Sequence, residues 1–250
     1  MDQDTDSESE MLSSVEWGVF ASDFHLFSNR SRAEQTIQTL RGLDHSPNNC
    51  IVLGGDIFDF RWSRLGSHRA TTAAAIIWLE QLLQDVSPTQ IVFLPGNHDS
   101  FPPFLEQLGS LAKEYPQFHW RPHTLQLGTN LFLHGDCIDA GGFHALPQYR
   151  NRFHDGKPHG TAADILYDAS VFVRAHKLIP AIARRPLPTC RRLHYHLNRS
   201  PIDESEIKSV YFGHTHSAID GLPIGAIKYY NPGASLRFMK SQIRQFRVKK

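Results

Sequence analysis

The chain of 250 residues is 40% hydrophobic with a formal net charge of +1, so it can bury one large core and is not a polyanion binder over its whole surface. Three cysteines without CxxC spacing argue against a disulfide framework and favour a reducing compartment. The apolar runs are far shorter than the roughly 20 residues of a membrane span, and the acidic start has no apolar signal segment. We therefore predict a cytoplasmic protein with a disordered acidic tail over residues 1–14 and one domain over residues 15–250.

Apolar runs that end in small residues and then in Asp, Asn or His recur along the chain. The first three are WGVFASDFH at 17–25, CIVLGGDIFD at 50–59 and IVFLPGNHD at 91–99. Short apolar runs bounded by glycine are typical of fully buried strands. Two segments with apolar residues at helical spacing, 32–43 and 70–86, separate the three runs. This alternation of strand and helix predicts an α/β layered fold.

Two later runs, NLFLHGD at 130–136 and VYFGHTH at 210–216, have the same design. The runs at 226–235 and 241–250 alternate apolar and polar residues, which predicts antiparallel hairpins near the end of the chain. Ligand sites in α/β sheets form beyond the carboxyl ends of the strands, where all five runs carry polar residues. One such loop would carry little information, but five together predict a functional site.

The stretch between Cys137 and about Glu206 lacks a strand pattern. A segment at 160–185 has helical spacing, with Pro180 as a break or kink. Residues 145–200 contain ten Lys or Arg against three Asp, a local surplus near +7. These features predict a basic helical cap inserted at about 140–206, beside the site, although a solvated helical face would have the same composition.

The polar residues after the five runs form one chemical set. Imidazoles and carboxylates without thiolates suit divalent Mn, Fe, Zn, Ni or Co, and the set is large enough for two ions that share a carboxylate. Taken singly, Asp56 after Gly-Gly and Asn97 after Pro-Gly are also typical turn residues. The set comprises Asp23, His25, Asp56, Asp59, Asn97, His98, Asp99, His134, Asp136, His214 and His216.

The motifs SDFH, GGDIFD, PGNHD, HGD and GHTH, followed by NPGAS, resemble those of the calcineurin-like metallophosphoesterase superfamily. The resemblance implies an α/β fold, a four-layer αββα sandwich of two mixed sheets flanked by helices. It implies two divalent ions, with Mn expected first, and a bridging role for Asp56. The implied ligands are Asp23, His25, Asp56 and His216 for the first ion, and Asn97, His134 and His214 with Asp56 for the second.

The resemblance also implies how the site works. A hydroxide that bridges two ions attacks the phosphorus in line, and the ions draw off developing charge. His98 faces the phosphate and stabilises charge or protonates the leaving oxygen, with Asp99 orienting its ring. We expect Asp59 and Asp136 to accept the outer N–H of ligating imidazoles, although either could instead cap a loop.

The position, length and helical character of the cap are similar to those of the UDP-2,3-diacylglucosamine hydrolases of lipid A synthesis. These enzymes commonly have Arg where this chain has His98. The resemblance implies a lipidic nucleotide sugar as substrate, at the inner membrane surface. For phosphate contacts we select four cations of the cap, because guanidinium groups suit bidentate phosphate binding. They are Arg150, Arg152, Arg174 and Lys177.

Two other functions remain open from the sequence. One is a general phosphomonoesterase or phosphodiesterase, including a protein phosphatase, a cyclic-nucleotide phosphodiesterase or a nuclease. Nucleic acid has little support, because the net charge is only +1 and basic and aromatic residues rarely alternate. The other is a non-catalytic scaffold on the same fold. A scaffold would be expected to lack ligands or the catalytic imidazole, and this chain retains them all.

Overall fold

The computed structural model describes residues 11–154 and 185–248. In chain order the elements are β1 (Trp17–Ala21), α1 (Glu34–Arg41), β2 (Asn49–Leu53), α2 (His68–Asp85), β3 (Gln90–Phe93), α3 (Pro102–Glu114), β4 (Phe118–Trp120), β5 (Thr124–Leu127), β6 (Asn130–Leu133), α4 (Cys137–Ala140), a 3₁₀ turn (Phe143–Ala145), α5 (Leu146–Asn151), α6 (Pro186–Leu197), β7 (Ser209–Phe212), β8 (Ile219–Ile224), β9 (Ile227–Asn231) and β10 (Arg244–Arg247).

The strands form two five-stranded mixed sheets. The first has the order β10-β1-β2-β3-β4, and all its pairs are parallel except β10 with β1. The second has the order β5-β6-β7-β9-β8, with β6, β7 and β9 parallel and both edge strands antiparallel. Two mixed sheets with flanking helices confirm the predicted α/β sandwich.

Side chains alternate between the two faces of each strand, and this alternation divides the buried apolar residues into three layers. In β1, Val19 and Ala21 pack against α1, α2 and α3, whereas Phe20 points to the second sheet. In β6, Leu131 and Leu133 pack against α6, and Phe132 lies between the sheets. Helix, sheet, sheet and helix thus stack in four layers, with an aromatic-rich layer between the two sheets.

The five predicted strands that precede polar loops are present as β1, β2, β3, β6 and β7. The prediction for the end of the chain is right for one hairpin, because β8 and β9 pair antiparallel. It is wrong for β10, which crosses to the other sheet and pairs with β1. The alternating pattern of β10 indicates one buried face, with Phe246 in the layer between the sheets, but does not specify its partner strand.

The predicted disordered tail extends too far. Met11–Ser13 form a helical turn, and the amides of Ser14 and Val15 donate to the carbonyls of Met11 and Leu12. Leu12 and Val15 are buried between the sheets, which orders this stretch. Residues 1–10 lie outside the described residues.

The described parts of the predicted cap region contain the 3₁₀ turn and helices α5 and α6, whereas its end at 198–206 has no regular secondary structure. Helix α6 buries Cys190, Leu193 and Leu197 against the outer face of the second sheet, so this part belongs to the fourth layer of the sandwich. The predicted helical segment 160–185 lies outside the described residues except for Arg185. Among the helices of the described ranges, none has the length and hydrophobicity to cross a membrane.

Candidate functional site

The loops after five strands bring the predicted ligands together at one edge of the sandwich. Because β1, β2 and β3 are parallel in one sheet, and β6 and β7 in the other, their carboxyl ends face the same region. Six of the seven side chains are at most 5% exposed, and the side chain of His216 is 20% exposed. The seven are Asp23 and His25 after β1, Asp56 after β2, Asn97 after β3, His134 after β6, and His214 and His216 after β7.

The potential ligand atoms of these residues form three overlapping groups, each within 4.8 Å. Asp56 belongs to two of them, once with His25 and His98 and once with His134 and His214. The third group is Asp23, His25 and His216. A carboxylate shared between groups is the arrangement expected when one residue bridges two ions.

The distances between donor atoms fit metal coordination. His216 Nε2 lies 3.3 Å from Asp23 Oδ1 and 3.3 Å from His25 Nε2. His134 Nε2 lies 3.4 Å from Asp56 Oδ2 and 3.3 Å from Asn97 Oδ1. Metal–ligand bonds of about 2.1 Å separate two ligands of one ion by about 3.0–3.4 Å. The oxygen and nitrogen donors present here therefore fit a divalent cation.

Five of the candidate ligands have a left-handed backbone, with φ between 47° and 63°. L-residues rarely adopt this conformation, and it concentrates at functional sites. The residues of the D-x-H and H-x-H pairs therefore converge through tight turns and not through extended chain. The five residues are Asp23, His25, Asp56, His214 and His216.

Two glycines in the motifs are required by close packing against ligands. A Cβ on Gly96 would overlap the carboxylate of Asp56, and a Cβ on Gly213 would overlap that of Asp23. The glycine before Asn97 in PGNHD and the glycine before His214 in GHTH thus leave room for carboxylates that come from other strands.

Asp99 does not orient the ring of His98, so that prediction is wrong. Its buried carboxylate accepts hydrogen bonds from the backbone amides of Gly96 at 2.6 Å, Ile57 at 2.8 Å and Phe58 at 3.3 Å. Asp99 therefore ties the loop after β3 to the loop after β2. Its effect on the centre is indirect, through the placement of Asp56 and Asn97.

The partner of His98 is Asp59. Asp59 Oδ1 lies 3.0 Å from His98 Nδ1, and Asp59 Oδ2 lies 3.3 Å from His25 Nδ1. One carboxylate thus contacts the Nδ1 atoms of two imidazoles, one through each of its oxygens. The His98 side chain is 16% exposed, and its ring packs beside Phe153 at a centroid distance of 5.2 Å.

The carboxylates control the protonation of the imidazoles. Burial by itself lowers the pKa of His134, but Asp56 outweighs burial and raises this pKa to about 10. Burial likewise opposes protonation of His98, and Asp59 and Asp56 raise its pKa to about 9. Without an ion, both rings therefore carry an extra proton at neutral pH.

Metal binding is expected to release protons, because an ion coordinates only the neutral imidazole of His134. Protons and metal then compete, so the apparent affinity for Mn²⁺ should rise as the pH is raised toward about 10. Calorimetric titrations in two buffers of different ionisation enthalpy, at one pH, measure the number of protons released. Equal heats in the two buffers, with an affinity that does not change with pH, would contradict this expectation.

Asp136 and Arg150 form a buried ion pair, so both predictions for them are wrong. Arg150 Nε and Nη2 donate to Asp136 at 2.7 and 3.1 Å, and Arg150 Nη1 donates to the carbonyl of Pro122 at 2.8 Å. Asp136 therefore does not hold an imidazole, and Arg150, 6% exposed, does not face a substrate. The outer nitrogen of His134 instead lies 2.9 Å from the carbonyl of Gly54.

The Arg150→Ala variant is expected to lower the free energy of unfolding by about 3–5 kcal/mol, because it leaves the buried Asp136 carboxylate without its counterion. Urea denaturation monitored by circular dichroism measures the change. The exposed Arg152 provides the matched control, and Arg152→Ala should change stability by less than about 0.5 kcal/mol. If Arg150→Ala raised KM and left stability intact, the original prediction of a substrate contact would be restored.

The structure adds residues that the sequence patterns did not reveal. Asp139 Oδ2 lies 2.9 Å from His214 Nε2, and Arg192 on α6 lies 3.7 Å from Asp139 Oδ1. Asp139 stands within the HGDCIDAGG stretch, but it is on α4 and does not directly follow a strand. Of the predicted cap cations, Arg174 and Lys177 lie outside the described residues.

A shallow pocket opens beside His98 and His216. Two of its walls are arginines held against aromatic rings. The guanidinium of Arg30 lies 4.5 Å from the Trp62 ring centroid, and that of Arg61 lies 5.2 Å from the Phe153 ring centroid. These four residues do not directly follow a strand, and the sequence analysis considered only polar residues at the ends of strands.

Comparison with known proteins agrees with this geometry. The family model described as calcineurin-like phosphoesterase matches residues 19–218, which include all seven candidate ligands and His98. Among curated proteins, none matches the chain significantly. The match covers most of the chain and spans both sheets. The chain belongs to the calcineurin-like phosphoesterase family and is a metal-dependent phosphoric ester hydrolase.

Proposed function

We propose that the protein hydrolyses a phosphodiester or diphosphate bond with two divalent ions, and that its substrate is a lipidic nucleotide sugar of the UDP-2,3-diacylglucosamine type. The main support for a diphosphate bond is the pocket beside the candidate metal centre, because two arginines line it together with His98. Mn²⁺ is the first ion to test, since the donors are imidazole, carboxylate and amide oxygen.

The candidate ligands divide into two sets that share Asp56. Asp23, His25 and His216 would complete the first set, and Asn97, His134 and His214 the second. Bound there, divalent ions would activate a water molecule and neutralise charge on the phosphoryl oxygens. The protein's own part is to fix these donors through backbone contacts, such as the hydrogen bond of the His98 amide to Asp56 Oδ1 at 2.8 Å.

His98 is placed to assist the leaving oxygen. Its Nδ1 contacts Asp59, so Nε2 is the ring nitrogen that can meet a substrate in the pocket. The contact of Nδ1 with Asp59 favours the protonated ring, so Nε2–H can donate a proton to the leaving oxygen. Asp59 stabilises the imidazolium and fixes the plane of the ring.

The arginines of the pocket favour a substrate with more than one anionic group. The ions and His98 together can serve a single phosphoryl group, and a simple monoester needs nothing more. Arg30 and Arg61 would add two guanidinium groups at the mouth of the pocket, suited to a neighbouring phosphate. Trp62 and Phe153 provide flat apolar faces for a base or sugar. These contacts support a nucleoside diphosphate linkage.

A substrate panel tests the proposal. Protein loaded with Mn²⁺ is assayed with UDP-2,3-diacylglucosamine, bis-p-nitrophenyl phosphate, p-nitrophenyl phosphate and single-stranded DNA. We expect the highest kcat/KM for the nucleotide sugar, with release of UMP. Preference for the monoester would favour a phosphomonoesterase, and preference for DNA would favour a nuclease. Metal binding without any turnover would favour a scaffold.

The Arg30→Ala and Arg61→Ala variants separate diphosphate binding from general phosphoester hydrolysis. Each is expected to lower kcat/KM for the diphosphate substrate about tenfold or more, mainly through KM, because a charge-assisted contact is lost. The ratio of kcat/KM for the diphosphate to that for bis-p-nitrophenyl phosphate should fall. The exposed Arg69, which does not line this pocket, serves as control. An unchanged ratio in both variants would contradict a diphosphate subsite.

We also propose that hydrolysis takes place in the cytoplasm at the inner membrane surface. This part of the proposal follows from the lipidic substrate, so excluding that substrate would also exclude a membrane location. Sedimentation of the protein with vesicles that carry the substrate would measure the association, and protein that stays in the supernatant would count against it.

A further inference from the structure

A second cleft lies at the end of the sandwich opposite the metal centre. It has a volume of about 1040 Å³ and is lined by the amino ends of β1, β6 and β7 together with β9 and β10. The metal-binding loops follow the carboxyl ends of three of these strands, so about four residues of strand, or roughly 13 Å, separate the two sites. None of the residues that line the cleft takes part in the centre described above.

Three cations converge on this cleft. Lys208 and Lys228 lie on neighbouring segments, where the amide of Lys228 donates to the carbonyl of Lys208 at 2.9 Å. Arg247, on the facing sheet, is linked to the same end because its carbonyl accepts a hydrogen bond from Asn130 Nδ2 at 2.9 Å. Among the described residues that line the cleft, Glu16 alone is acidic.

These three cations have no ion-pair partner within the described ranges 11–154 and 185–248. The neighbouring Arg244 differs, because its Nη1 lies 3.4 Å from Asp220. Like charges gathered around a concave surface produce a positive potential that attracts anions. The cleft is therefore electrostatically suited to a bound anion.

The inner wall of the cleft is aromatic. The rings of Tyr211 and Tyr230 are stacked, with a centroid distance of 4.8 Å and an interplanar angle of 12°. Phe246 from the facing sheet lies 5.9 Å from Tyr211, and Trp17 stands at the same opening. Tyr211 is 4% exposed, whereas Tyr230 is only half-buried and offers part of its ring to the cleft. A planar aromatic group can stack on such a surface.

We propose that this cleft binds an aromatic anion of nucleotide size, with its ring against Tyr230 and its phosphate against Lys208, Lys228 and Arg247. The volume lies at the upper end of that of small-molecule sites in proteins. The ligand would contact both sheets, because β10 belongs to the first sheet and β7 and β9 to the second. This site does not depend on the proposed substrate of the metal centre.

Calorimetric titration of the full-length protein with AMP, adenosine and inorganic phosphate tests the proposal. The titrations are done with chelator present, so that binding to ions at the metal centre does not contribute. We expect one AMP per chain, bound about tenfold or more tightly than either adenosine or phosphate, because only AMP uses both the ring surface and the cations.

Substitutions of residues that line the cleft test whether AMP binds there. Lys228→Glu and Arg247→Glu, both at exposed side chains, should weaken AMP about tenfold or more, and Tyr230→Ala should weaken AMP without changing the affinity for phosphate. Lys240→Glu, an exposed lysine outside the cleft, is the matched control and should bind AMP as the wild type does. Thermal unfolding checks that each variant is folded. No AMP binding at millimolar concentration, phosphate binding as tight as AMP, or equal AMP affinity in Lys228→Glu and Lys240→Glu would each overturn the proposal.

Discussion

The Asp56→Ala variant is expected to lose bound metal and to reduce kcat/KM by about 10³–10⁴-fold or more, because the carboxylate belongs to both halves of the candidate centre. Its Oδ2 lies 3.4 Å from His134 Nε2 and 3.8 Å from His25 Nε2, so Asp56 approaches an imidazole of each set. Metal content by inductively coupled plasma mass spectrometry and turnover of bis-p-nitrophenyl phosphate measure the two effects.

Asp44→Ala is a suitable control for Asp56→Ala, because Asp44 is exposed and lies far from the strand ends that carry the ligands. It should retain both metal and activity. Asp56 Oδ1 also accepts the His98 amide, so circular dichroism must show that Asp56→Ala is folded. Full metal content in folded Asp56→Ala would show that Asp56 is not a ligand.

The second large effect is expected for His98→Ala, with kcat lowered about 10²–10⁴-fold and the metal content unchanged. The reason is geometric. His98 reaches the pocket from its contact with Asp59 and is not one of the seven candidate ligands. Comparison of this variant with Asp56→Ala therefore separates loss of a catalytic proton donor from loss of the ions.

The loss of activity in His98→Ala can be compared between substrates with different leaving groups, which tests whether His98 is a proton donor. A substrate that releases p-nitrophenol or a phosphate monoester needs little protonation of the leaving oxygen, whereas an alkyl leaving group needs more. The deficit of His98→Ala should therefore be smaller for p-nitrophenyl esters. Equal deficits for both kinds of substrate would assign His98 to charge stabilisation only, and unchanged turnover would remove it from the mechanism.

The sequence was sufficient to place the five strands and the residues that follow them. Buried parallel strands have continuous apolar runs, and their carboxyl ends meet at one edge whatever the details of the loops. This is why Asp23, Asp56 and His134, which are far apart in the chain, could be assigned to one centre and are found within it. The αββα layering followed from the family resemblance and the same alternation.

Pairing between polar side chains could not be predicted in the same way. Asp59 and Asp99 are both carboxylates beside an imidazole motif, and their roles depend on loop turns with left-handed residues such as Asp56. In the fold Asp99 turns back to three backbone amides, while Asp59 faces His98. Only the three-dimensional path of these turns decides which carboxylate meets the ring.

Composition also misassigned Arg150. A basic segment predicts cations on a surface, yet this guanidinium is buried with Asp136, which comes from the loop after β6. The arginines that do line the pocket, Arg30 and Arg61, lie in loops after β1 and β2 with no helical or strand pattern around them. Substrate contacts of this kind depend on how loops fold over the sheet edge, and periodicity carries no information about it.

The most direct test of the account is phosphodiester hydrolysis by chelator-stripped protein before and after addition of Mn²⁺. The oxygen and nitrogen donors gathered around Asp56 require that turnover of bis-p-nitrophenyl phosphate is lost on stripping and restored by the ion in the wild type. The same addition should leave Asp56→Ala inactive. Turnover that persists after complete removal of metal, or that Mn²⁺ restores equally in Asp56→Ala, would contradict a metal-dependent phosphoesterase at this site.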